Sequence, residues 1–81
     1  LLGMTGVMEE VAQDMATGEG EALTALSVSM GIQADDRARF NAAMHENFAV
    51  IFPHQDVTAE EVMANITEVM KQDESLSKYL A

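Results

Sequence analysis

Met4, Met8, Val11, Ala12 and Met15 recur at the spacing i, i+4, i+7, i+8, i+11, which lines one face of an α-helix. Glu9, Glu10, Gln13 and Asp14 fall between them and are expected to face water. The pattern predicts a first helix over about residues 5–17, with Thr5 as its N-cap. Thr17-Gly18-Glu19-Gly20 then breaks it, because paired glycines lose much backbone entropy when held in a helix.

A second, shorter helix is predicted over 21–30, with Ala22, Leu23, Leu26 and Met30 as its apolar stripe. Gly31 stands where a left-handed residue ends a helix, and Ile32 is placed to fold back on the last turn. Asp35 and Asp36 are expected to cap and charge a third helix over 35–52. Its buried face is Phe40, Ala43, Met44, Asn47, Phe48, Ile51 and Phe52, with Ala42 and Ala49 allowing close approach, and Pro53 stops it. All three phenylalanines lie here, which makes this the expected central helix, with Phe48→Ala costing about 3–5 kcal/mol.

Thr58-Ala59-Glu60-Glu61 has the layout of a capping box, and Val57 precedes it as the residue for a hydrophobic staple. Val62, Met63, Ile66, Val69 and Met70 continue a fourth helix over 58–72. A last turn over 75–80, capped by Ser75, would dock Tyr79 and Leu80 on the core. The pattern therefore predicts an all-α fold: a small four-helix bundle-like domain, single over residues 1–81, with a short C-terminal helical tail.

Composition narrows what such a domain can do. Of 81 residues, 48% are apolar, so one modest core is affordable. Fourteen acids against four bases give a net charge of −10, which argues against neutralising nucleic-acid phosphates or docking on anionic lipid. The longest strongly apolar stretch, Phe48 to Phe52, is too short to insert across a membrane. There is no cysteine, hence no disulfide or zinc-thiolate chemistry. The chain starts at Leu1 without a basic and apolar leader, so a processed product is expected.

Candidate chemistry is sparse. His45 and His54 are the candidate pH-sensitive side chains, but their separation matches no His-x-x-x-His or Glu-x-x-His metal spacing. The acidic pairs Glu9-Glu10, Asp35-Asp36, Glu60-Glu61 and Asp73-Glu74 lack the glycine and glutamate positions of a calcium loop. Gly18-Glu19-Gly20 lacks the lysine and preceding strand of a phosphate loop. No serine stands in a nucleophile arrangement, so neither an enzyme nor a cofactor or metal is expected. Asp73-Glu74-Ser75-Leu76 approaches the Asp-Ser-Leu motif of acyl carrier proteins, but with an inserted glutamate and near the C-terminus rather than mid-chain. Methionine is the compositional oddity, with seven residues. Met8, Met15, Met44, Met63 and Met70 are candidates for a seam that binds a partner helix or peptide, the alternative being plain core packing.

The run from Asp14 to Leu26, with Gly18, Gly20, Glu21, Leu23 and Leu26, resembles the Asp-x-Ala-x-Gly-x-Gly-Glu-x-Leu-x-x-Leu segment of a small exported bacterial family, the domain of unknown function three-zero-one-five. Phe40-Asn41, Asn47-Phe48-Ala49-Val50-Ile51-Phe52 and Val69-Met70 to Tyr79 resemble its C-terminal half. The resemblance implies a periplasmic or secreted protein of which this chain is the C-terminal portion, and it brings no catalytic residues. The resulting expectation is a non-enzymatic exported domain working through contacts with an unknown protein or peptide, with a homodimer among the candidates. An acyl-carrier-like accessory protein and an acid-responsive periplasmic chaperone are the alternatives.

Overall fold

The computed structural model describes residues 6–80, and every regular element among them is helical. In chain order these are α1 (Val7–Thr17), α2 (Glu21–Ser29), α3 (Ala34–Glu46), α4 (Phe48–Ile51), α5 (Ala59–Lys71), α6 (Glu74–Ser77) and a closing 3-10 turn, Lys78–Leu80. The expected all-α architecture with a short helical tail is therefore present. Met4 and the Thr5 cap lie outside the described residues.

The largest departure is a break in the expected third helix. Asn47 leaves the helical region at φ −111°, ψ 22°, and its side-chain Nδ2 donates to the Ala43 carbonyl at 2.9 Å. Asparagine is suited to this, because its amide competes with the backbone for nearby hydrogen bonds. Val50 N–H and Ile51 N–H both bond back to Asn47 O at 3.0 Å, so α4 restarts from the break. Phe48 is consequently only half-buried and Ala49 is exposed, whereas Phe40, Met44 and Ile51 are fully buried. α4 ends before Pro53, and Asn65 Nδ2 of α5 supplies a donor to the Ile51 carbonyl at 3.1 Å.

Two helix ends follow the sequence closely. At the end of α2, Gly31 adopts φ 77°, its N–H bonds Val28 O, and Ile32 N–H bonds Ser27 O. This paired closure buries Ile32 against the core. At the start of α5, Thr58 Oγ1 accepts from Glu61 N–H at 3.1 Å, while Glu61 Oε1 accepts from Thr58 N–H at 2.9 Å. Val57 and Val62, flanking that box, are both buried in the same cluster.

Other caps differ. α3 starts from Gln33, with Asp35 and Asp36 inside its first turn where the helix dipole favours acids. Asp73 rather than Ser75 caps α6, its carboxylate accepting from Ser75 N–H at 2.9 Å. Ser27 is fully buried and satisfies its hydroxyl on Thr24 O at 2.7 Å.

The core is one cluster in which Met15, Leu23, Phe40, Met44, Ile66, Met70 and Leu76 are sealed from solvent. α3 packs on α1, α2, α5 and α6 and occupies the centre. α5 packs on α3, α4 and α6, but its backbone makes no comparable approach to α1 or α2. That separation leaves a gap on one side of the bundle.

Candidate functional site

The connection between α1 and α2 is built around a carboxylate that the periodic pattern assigned to water. Gly20 is the N-cap of α2 and has no side chain to accept from the helix's first N–H groups. Asp14, six residues earlier on α1, fills that role: its Oδ2 accepts from Ala22 N–H at 2.8 Å and Leu23 N–H at 3.1 Å. The carboxylate rests on the Gly20 backbone, where a Cβ would lie 2.2 Å from Asp14 Cγ. Gly18, at φ 96°, ends α1 by donating its N–H to Asp14 O at 2.7 Å. Asp14, Gly18 and Gly20 thus form a structural bracket. The signal for it was present, since a helix opening on glycine needs an acceptor from elsewhere.

His45, in the last turn of α3, lies against Gly18 and holds its Nδ1 3.0 Å from Met15 O. The carbonyl can only accept, so Nδ1 carries the proton and the ring ties the end of α3 to the end of α1. His54 is exposed in the loop after Pro53. It borders a hollow of about 310 Å³ with Phe48, Phe52 and Ala12, whose Phe48 and Phe52 rings stand 5.7 Å apart. His45 does not line that hollow. Among the described residues, no three His, Asp or Glu side chains converge as a metal-sized cluster. No described helix is long and apolar enough to cross a membrane.

The five methionines of the expected seam separate into two groups. Met15, Met44 and Met70 have no exposed surface; they fill the core, where flexible thioethers suit irregular gaps, and cannot touch a partner. Met8 is half-buried and Met63 is 42% exposed. These two share one hollow of about 190 Å³ with Val7, Val11, Leu26 and Val62, in the gap between α5 and the α1–α2 pair. Val7, 73% exposed, also lines an adjoining hollow of about 490 Å³ with Ala22, Ala25, Leu26, Glu10 and Glu21. Together they make an apolar groove edged by acids.

A second, polar hollow shares Glu21 and Ala25 with that groove. It lies wide and open among Thr17, Glu19, Thr24 and Asn41, and the buried Asn41 Oδ1 accepts no hydrogen bond. Ser75, the residue nearest to a carrier-type serine, is exposed in the first turn of α6.

The tail is held by a polar clamp at the start of α3. The Tyr79 hydroxyl accepts from Gln33 N–H at 3.1 Å and donates to Asp36, while Lys78 Nζ lies 3.1 Å from the same carboxylate. Arg39 adds a contact to Asp73 at 2.6 Å. The Tyr79 hydrogen bond first, and Lys78 second, hold the Asp36 carboxyl below its ordinary value. Asp36 in turn holds the Lys78 ammonium above its own. The folded Asp36 therefore binds its proton more weakly than the unfolded chain does. Its contribution is complete above about pH 4 and is lost as pH falls through the lowered value. Lys78 behaves oppositely, contributing below its ordinary range and losing that contribution as pH rises through the raised value. Amide exchange of residues 78–80 is expected to accelerate selectively as pH drops below about 4, after correction for intrinsic rates. Tyr79→Phe should remove most of that acid dependence; an unchanged profile would dissociate the tail from Asp36.

No curated protein and no solved structure shows significant similarity to the chain. The family model described as "Protein of unknown function (DUF3015)" matches residues 1–80, and with nearly its whole length covered the chain belongs to that family.

Proposed function

We propose that this is a non-enzymatic helical domain of an exported, periplasmic protein, and that it works by docking a protein or peptide partner. The observation that carries the reading is the apolar groove between α5 and the α1–α2 pair, where Val7 and Met63 hold large apolar surface in water. Exposed apolar surface that is contiguous and rimmed by polar groups is the common physical mark of a contact site. Export rests on the family resemblance alone.

The methionines provide the test. In a titration with amphipathic helical peptides of differing net charge, at least one peptide is expected to move the methyl resonances of Met8 and Met63. Those of Met15, Met44 and Met70, sealed in the core, should stay in place. A panel that moves none of these, or acts only at the Phe48–Phe52 hollow, would overturn the reading. Fractionation of cells carrying the intact gene tests export, and a cytoplasmic product would refute it.

An acid-responsive chaperone is a second reading, favoured by the Asp36 clamp, whose release below about pH 4 would free the tail from α3. Client protection that is the same at neutral and acid pH would exclude it.

A further inference from the structure

We infer that the occupant of the α1–α2–α5 groove is a cationic amphipathic helix, its apolar stripe seated on Val7, Val11, Leu26 and Met63 and its basic face turned toward Glu10 and Glu21. This inference rests on the contact reading above and specifies its partner.

The charge map carries it. Every charged residue before Arg37 is acidic, so α1 and α2, two of the groove's three walls, contain no base. The charged side chains lining the groove are Glu10 and Glu21. All four bases lie elsewhere and are engaged there: Arg37 on Ile32 O, Arg39 on Asp73, Lys71 on Glu68 and Lys78 on Asp36. A low-dielectric trough edged by one sign of charge concentrates the opposite sign, and here that sign is positive.

The shape selects a helix. An extended peptide gains affinity by adding to an open sheet edge, and no strand exists among the described residues. A trough flanked by helices instead receives apolar anchors spaced by one helical turn. A second copy of this chain is disfavoured as occupant, because docking would bring a further −10 against an already acidic face.

Three synthetic helical peptides with one shared leucine stripe, and with lysine, glutamine or glutamate on the opposite face, test this on the full chain. The lysine peptide is expected to bind at least about tenfold more tightly than the glutamine peptide, and the glutamate peptide more weakly still. The difference should shrink as salt rises from about 0.02 M to about 0.5 M. Replacing Glu10 and Glu21 together by lysine should invert the preference, while Val50→Lys, on α4 outside the groove, should not. Helicity by circular dichroism establishes that each variant is folded.

Equal affinity for all three peptides at Met8 and Met63 would overturn the cationic assignment and leave the contact reading standing. Failure of every peptide to reach those methyls would overturn both. Sedimentation of the unliganded chain at twice its mass, abolished by Met63→Lys, would name a second copy as occupant and refute the proposal. Binding that emerges only after removal of residues 1–5 would name the chain's own Leu1-Leu2-Gly3-Met4 segment, with the same consequence.

Discussion

Gly20→Ala is expected to destabilise the fold by about 2–4 kcal/mol, a large effect for adding one methyl group to a turn. Two costs combine. Gly20 has φ 147° and ψ 167°, a region that residues with a Cβ scarcely enter, and holding alanine there costs about 1–3 kcal/mol. The new Cβ would also lie 2.2–2.3 Å from the Asp14 carboxylate, which must leave. Ala22 and Leu23 N–H then lose their acceptor at the opening of α2, for about a further 1 kcal/mol. Asp14→Ala removes only the cap and should cost about 1–2 kcal/mol. Asp14→Asn keeps an acceptor and gives up the charge at the helix dipole, so it should cost about 0.5 kcal/mol. The double variant is the decisive measurement. Once Asp14 is alanine the clash is gone and the cap cannot be lost again, so Gly20→Ala should cost about 1 kcal/mol less than in the parent. Urea unfolding followed by circular dichroism gives all four corners of the cycle. Strict additivity would show that the carboxylate is not seated on Gly20.

That bracket also marks where the sequence was and was not legible. Periodicity placed the helices because burying an apolar stripe is a one-element property: Val11, Ala12, Met15, Leu23, Ile66 and Met70 are read from spacing, and all are buried. Capping within one element was equally readable, as at Thr58 with Glu61 and at Gly31 with Ile32. The polar bonds that run between helices were not legible, and they share a cause. Asp14, Asn65 and Tyr79 each satisfy backbone groups of another helix, and a wheel drawn for one helix has no place for such bonds. Met63 fits the α5 stripe yet stands in water, because α5 does not close on α1 and α2. The groove is thus a property of how helices fail to meet. No single stripe could announce it, although the acidity of the chain before Arg37 was visible throughout.

Phe40→Ala is expected to cost about 3–5 kcal/mol, and Phe48→Ala about 2 kcal/mol, reversing the importance suggested by the sequence pattern. In an unbroken helix Phe48 would follow Met44 at i+4 along the buried face. The break at Asn47 turns it toward the surface, where it keeps the tilted ring contact with Phe52 and only part of its burial. Phe40 has no such exposure: it is sealed within α3, the helix against which α1, α2, α5 and α6 all pack. Truncating it leaves a ring-sized void whose walls belong to several helices, and such walls relax inward only partly. The same geometry separates the two variants in kind. Loss of Phe48 should be felt mainly in α4 and the hollow near His54, with amide exchange elsewhere near its parent level. Loss of Phe40 should lower protection across all four surrounding helices together. Equal losses for the two variants, or a larger one for Phe48, would mean that α3 runs straight through Asn47 and that the groove-bearing arrangement of helices around it is wrong.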